Sequence, residues 1–177
     1  ALLDKYKSSL EENPDKWDYL EDAGQGRSTQ YMAAGGVTHR YFFNENTLLK
    51  TTLAGTYSDQ EAIQTTYDRE FNSSPYIEQN SSNTNLILTS SLNRKVSNRF
   101  TNKTGFTFTQ MFYNMNFELA PFIDQPLETI SKGDGNTSLI SAYNSSAWGI
   151  NDKLSLNFGL HGQLLTLNNR WTLEPRT

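Results

Sequence analysis

The feature that most restricts what this chain can fold into is a set of long runs without a charged side chain. Gln79–Asn93, Thr104–Phe117, Gly135–Asn151 and Leu154–Asn169 are each 14 to 17 residues long, and Ser28–His39 is a shorter fifth. Within them apolar and polar residues alternate. Leu154, Leu156, Phe158, Leu160, Gly162 and Leu164 take one side of a two-residue period, and Ser155, Asn157, Gly159, His161 and Gln163 take the other. Phe106, Phe108 and Phe112 alternate with Thr107 and Thr109, and Leu49, Leu53 and Tyr57 with Lys50, Thr52 and Thr56. A period of two is strand periodicity. It predicts strands near 28–43, 48–58, 83–93, 99–114, 136–150, 153–167 and 171–177, with 62–71 as an eighth. Strands of soluble domains average about five or six residues, so strands of this length call for another setting.

Charge outside the runs is unevenly placed. The chain carries 15 Lys+Arg and 19 Asp+Glu, a net −4. Residues 1–22 hold seven acids and three bases, which accounts for that net charge, and the remaining 155 residues are neutral. Residues 1–26 read as a short helical segment, an insertion in an outer loop. Leu3, Tyr6 and Leu10 recur at helical spacing, Asn13-Pro14 ends one helix and caps the next, and Trp17 shares a face with Leu20. Residues 27–177 read as the sheet. Its connections alternate: Asn44–Thr47, Val96–Asn98 and Asn151-Asp152 are tight Asn/Asp-rich turns. Residues 59–82 and 115–135 read as long loops, and Asn168–Arg170 as a short exception.

A strand that crosses a bilayer needs about 9–11 residues, carries no charge at mid-depth, and alternates apolar toward lipid with polar toward the lumen. Short turns on one side, longer loops on the other and aromatic residues near strand ends complete that pattern. Tyr41, Phe42, Phe43, Phe112, Tyr113, Trp148 and Trp171 are so placed. Ser, Thr and Asn supply 54 residues, suited to a wet lumen and polar loops. The fold class expected is all-β: an antiparallel up-and-down meander of seven or eight strands forming part of a transmembrane β-barrel, with the short helical segment before it. A soluble β-sandwich for carbohydrate binding or adhesion is the alternative, and it requires two inward apolar faces.

Several chemistries find little support. Without cysteine there is no disulfide and no thiolate metal site. No excess of Lys and Arg exists to neutralise nucleic-acid phosphates. His39 and His161 have no ligand spacing to each other or to carboxylates, and His161 falls on the polar period, where hydrogen bonding suits it better than catalysis. Lys132–Asn136 reads as a Gly-Asp-Gly turn rather than a Ca²⁺ loop, because the distal Glu is absent. The sequence reads as a protein that is not an enzyme, with no catalytic residue, cofactor or metal. Ligand contact is expected in the long loops, through Tyr67, Phe71, Tyr76, Phe117 and Phe122, whose rings stand beside Asn, Asp and Gln as in sites that stack on sugars.

Leu154–Thr177 (LSLNFGLHGQLLTLNNRWTLEPRT) and Leu173-Glu174-Pro175-Arg176 within it resemble TonB-dependent outer-membrane receptors, and Asn102–Gln110 (NKTGFTFTQ) looks like the versions in Bacteroidetes-type bacteria. The resemblance implies a barrel of about 22 strands with a plug and a TonB box, taking up siderophores, cobalamin or oligosaccharides across a Gram-negative outer membrane. Seven or eight strands, with no plug and no TonB box, imply an internal segment of such a barrel. Lipid is then expected on one sheet face, the nutrient at the outer loops, and TonB only through parts absent from these residues. Two unpaired edges and an apolar face imply self-association of the segment.

Overall fold

A computed structural model describes residues 2–19 and 22–176. Eight strands form one antiparallel sheet in the order β1-β2-β3-β4-β5-β6-β7-β8, so every strand pairs with its sequence neighbours. They are β1 Leu2–Lys7, β2 Gly24–Asn44, β3 Thr47–Tyr67, β4 Ser73–Lys95, β5 Phe100–Leu119, β6 Glu128–Asn151, β7 Leu154–Leu165 and β8 Arg170–Arg176. The sheet is not closed into a barrel; β1 and β8 are its edges. It has no Greek-key crossover. Among the described residues no helix is long and apolar enough to cross a membrane, which leaves open crossing by strands.

The N-terminal segment differs from its sequence reading. Leu2–Lys7 is a strand, paired with β2 from Leu2↔Met32 to Lys7↔Arg27. An isolated helix of this length is marginal in water, whereas a sheet edge supplies a ready row of backbone partners. What remains helical is a single 3-10 turn, Pro14–Lys16. Asn13 caps it as its residue type predicts, its side-chain oxygen accepting from the Asp15 N–H at 3.1 Å. Leu20 lies outside the described residues, as do Ala1, Glu21 and Thr177.

The expected long loops are mostly strand. β3 runs on to Tyr67 and β4 starts at Ser73, so the connection read as 59–82 shrinks to residues 68–72; that read as 115–135 shrinks to 120–127. Lys132–Asn136 accordingly sits inside β6 and is no turn. The charges that suggested loops are carried by strands with solvated faces, as in the Arg27–Glu61 pair at 3.7 Å. The tight turns are as read. Asn44 Oδ1 accepts from Asn46 N–H at 2.9 Å, Asn151 Oδ1 from Lys153 N–H at 2.9 Å, and Asn168 Oδ1 from Arg170 N–H at 3.1 Å. Each is an Asx turn, in which a short side chain replaces a backbone acceptor.

The chain divides into two compact units. Unit 1 comprises residues 1–34, 56–84 and 112–135; unit 2 comprises 35–55, 85–111 and 136–177. Unit 2 holds the β2–β3, β4–β5, β6–β7 and β7–β8 turns, and its share of each strand from β2 to β7 is 9 to 16 residues. Unit 1 holds the β1–β2, β3–β4 and β5–β6 connections. The units differ sharply in charge. Unit 1 carries 16 acids and six bases, net −10; unit 2 carries three acids and nine bases, net +6. The near-neutrality read for everything after residue 22 is thus an average over two opposed parts.

Cross-strand bonds fix the faces of unit 2. The Thr38 and Thr52 hydroxyls meet at 2.9 Å and those of Thr89 and Thr107 at 3.3 Å, on one face. Thr51 and Ser90 meet at 3.3 Å, and Asn102 Nδ2 donates to Asn144 Oδ1 at 3.1 Å, on the other. Alternation from these anchors gathers Leu53, Leu86, Leu88, Phe106 and Trp148 with Leu154, Leu156, Phe158 and Leu160. Trp171 and Leu173 join them through the β7–β8 register, in which Leu164 faces Trp171 and Gly162 faces Leu173. All eleven are exposed, from Leu88 at 38% to Trp171 at 71%. The charges within these strand spans, Arg40, Lys50, Lys95 and Lys103, lie on the opposite face, as do Arg170, Glu174 and Arg176 of β8. Arg94, next to the β4–β5 turn, is the exception.

The apolar face has a polar seam along β5 and β6. Asn102 Nδ2 also donates to Ser146 Oγ at 2.8 Å, Asn144 Nδ2 donates to Thr104 Oγ1 at 2.8 Å, and Ser138 Oγ bonds to Gln110 Oε1 at 2.5 Å. These amides and hydroxyls bond to one another, which lowers the cost of an apolar neighbourhood. Among the described residues the buried hydrophobic side chains are Ala23 and Ala120 alone. No second layer supplies a core.

On the polar face β5 and β6 are keyed by tyrosine over glycine. The Tyr143 ring occupies the space a Cβ on Gly105 would need, and the Tyr113 hydroxyl lies 2.8 Å from the corresponding point at Gly135. Gly105→Ala is therefore expected to displace Tyr143 and cost about 1–3 kcal/mol. Adding Tyr143→Ala should make the double variant more stable than the two single losses sum to, as read from urea-unfolding midpoints.

Candidate functional site

All five aromatic residues singled out from the sequence belong to unit 1, but they do not form one cluster. Tyr67 is the last residue of β3; its hydroxyl donates to Gln25 Oε1 at 3.2 Å, and its N–H donates to the Ala23 carbonyl at 2.9 Å. Tyr76 lies within β4, and its carbonyl accepts from the Ala120 N–H at 2.9 Å. Phe117 lies within β5. Phe71 and Phe122 alone lie in connections. The loop placement expected for Tyr67, Tyr76 and Phe117 is thus corrected by the extension of the strands.

Phe71 is built into a tight structure. Its φ of 61° is in the left-handed region, which a non-glycine side chain adopts at a cost. Asp68 offsets that cost. Its Oδ1 accepts from the N–H groups of Glu70 at 2.8 Å and Asn72 at 2.9 Å, and its Oδ2 accepts from Asn72 Nδ2 at 2.8 Å. The turn presents Phe71 to Trp17, whose ring meets it edge-on at 5.8 Å between centroids. Trp17 is itself held by its indole N–H, which donates to the Glu11 carbonyl at 2.8 Å. The β5–β6 connection is tied in likewise: Ser74 Oγ donates to Asp124 Oδ1 at 2.5 Å, and Asp124 also has a left-handed backbone, at φ 65°. Phe122, in that connection, is 71% exposed.

Phe117 contributes to a cleft of about 410 Å³, lined also by Tyr6, Ile63, Ile77, Arg27 and Gln64. Aromatic and aliphatic side chains with an amide among them suit a partly apolar ligand with polar substituents. Tyr6 and Trp17 are the residues that sequence reasoning missed. Both were assigned to helix faces, and only the pairing of β1 with β2 brings Tyr6 to the cleft. The one available signal was a Trp three residues after an Asn-Pro turn.

The asparagine amide and the turn N–H groups hold the Asp68 carboxyl below the usual carboxylate range, the Asn72 side chain contributing most. No family model matches the chain, and no curated protein matches it.

A depressed carboxyl pKa means that the stabilisation is fully present above the ordinary aspartate value of about 3.9 and is lost as pH falls through the lowered one. Trp17 fluorescence, read with Trp148 and Trp171 replaced by Phe, should hold steady from neutral pH to about 4 and change below it. Asp68→Asn should show the low-pH signal already at neutral pH.

Proposed function

We propose that these residues are part of the wall of an outer-membrane β-barrel, in a receptor of the TonB-dependent kind that takes up a nutrient, siderophore, cobalamin or oligosaccharide. The observation that carries this reading is the exposed apolar face of unit 2. Eleven large apolar side chains stand on one side of a single-layer meander, with charge in those strand spans on the other side except for Arg94 next to a turn. At about 1 kcal/mol for each half-exposed side chain returned to an apolar medium, covering that face is worth on the order of 10 kcal/mol, comparable to the whole stability of a domain. Lipid covers it without a second protein layer.

Three further features support the reading. Unit 2's share of strands β2 to β5 is 9 to 12 residues, close to the bilayer requirement of about 9–11. The β2–β3, β4–β5 and β6–β7 turns are tight, as on the periplasmic side of such barrels. The resemblance of Leu154–Thr177 to these receptors is what suggests the family. On this reading Phe71 with Trp17, Phe117 with its cleft and Phe122 contact the nutrient. The polar seam between β5 and β6 lies toward lipid with its hydrogen bonds made internally. The reading includes no catalytic role.

Orientation is testable in intact cells. A membrane-impermeant amine reagent should label Lys5, Lys7 and Lys132 of unit 1 and leave Lys95 and Lys153 at the tight turns unlabelled until the outer membrane is permeabilised. Labelling of Lys95 and Lys153 in intact cells would remove the proposed orientation.

A further inference from the structure

The polar face of unit 2 carries a second cleft, of about 370 Å³. Lys103, Tyr143, Ser145, Asn157, Gly159 and Arg176 line it. Register explains why it exists. Gly159 faces Ser145 on β6 and Arg176 on β8, and Asn102, next to Lys103, donates to the Ser145 carbonyl. A row across the sheet therefore reads Lys103, Ser145, Gly159, Arg176, with a cation at each end and a position without a side chain between them. Three interstrand steps of about 4.8 Å separate the two end strands, roughly 14 Å, within reach of two long side chains bending toward one bound group.

The geometry points to this cleft as a binding site for an anionic ligand bearing a phosphate or a carboxylate, held between Lys103 and Arg176. The surrounding charge favours it. Lys50 and Arg40 share the face, and Glu174 is the acid among the strand residues of this face. Its Oε2 is 3.7 Å from Arg176 Nη2 and 3.6 Å from His161 Nδ1. An exposed pair at that distance is weak and leaves guanidinium donors for a ligand, which a planar fork binds in bidentate fashion. Lys103 Nζ lies 5.8 Å from the centroid of the Tyr143 ring, which steadies the ammonium at the rim. Ser145 and Asn157 supply neutral hydrogen-bonding groups. The inference deepens the proposed receptor role by naming a ligand class, and it rests on that reading for the claim that this face lines a lumen.

Equilibrium dialysis of the detergent-solubilised chain tests it, with inorganic phosphate in one arm and succinate in the other. One saturable site is expected, with the tighter arm identifying phosphate or carboxylate as the recognised group. Lys103→Gln and Arg176→Gln should each weaken binding at least tenfold, and Lys50→Gln, elsewhere on the same face, should leave it within twofold. Binding that never saturates, or that is equal in the chain and in both cleft variants, would overturn the site. The lysine-labelling pattern reports the barrel reading separately. Saturable binding with the wrong labelling pattern removes the lumen and keeps the site; correct labelling without saturable binding removes the site alone.

Discussion

An antiparallel sheet has two faces, and a chain that builds only one layer must leave both to its surroundings. Here the faces of unit 2 are unlike. One presents Leu53, Leu86, Phe106, Trp148, Leu156, Phe158, Leu160 and Leu173; the other presents mainly threonine, asparagine, lysine and arginine, with Phe42 among them. Ala23 and Ala120 are the buried hydrophobic residues among those described, so packing within the chain cannot be the main source of stability. Backbone pairing, Asx turns and tyrosine-over-glycine contacts hold the sheet in register. That single-layer build links the composition, with low mean hydropathy despite an exposed apolar face, to the proposed membrane setting.

Charge follows the same division. Bases predominate in unit 2 and acids in unit 1, +6 against −10. Apart from Arg94 next to the β4–β5 turn, strand spans proposed to lie in lipid keep their bases on the polar face, where water solvates them. Unit 1 has no such restriction, and its strands carry acids freely, as with Glu61 and Glu78. An electropositive polar face in unit 2 then becomes a property with chemical consequences, since Lys103 and Arg176 flank a gap that the register leaves open.

Much of the fold was legible in the sequence, for a physical reason. Period-two alternation is a local signal, and the order of Leu154 to Leu164 identified β7 and its apolar face directly. Asn44, Asn151 and Asn168 marked their turns because each side chain completes its own turn. The extent of the strands was not legible. Charge at Asp59, Glu61 and Glu78 looks the same in a loop and in a strand with two solvated faces, so Tyr67, Tyr76 and Phe117 were read as loop residues. β1 was missed because Leu3, Tyr6 and Leu10 fit helical spacing, and only pairing with Arg27–Met32 decides the matter. The cleft over Gly159 has no sequence signal, since it arises from residues brought together by register, and the Trp17–Phe71 contact joins two connections distant in the sequence.

The central claim is that the apolar face of unit 2 meets lipid while the opposite face meets water. Nitroxide labels placed singly at Ser155, Leu156, Asn157, Phe158 and Leu160, with the chain reconstituted in liposomes, measure it directly through oxygen accessibility. The account predicts oscillation with a period of two, highest at Leu156, Phe158 and Leu160 and lowest at Ser155 and Asn157. A flat profile, or one with its maxima at Ser155 and Asn157, would contradict it.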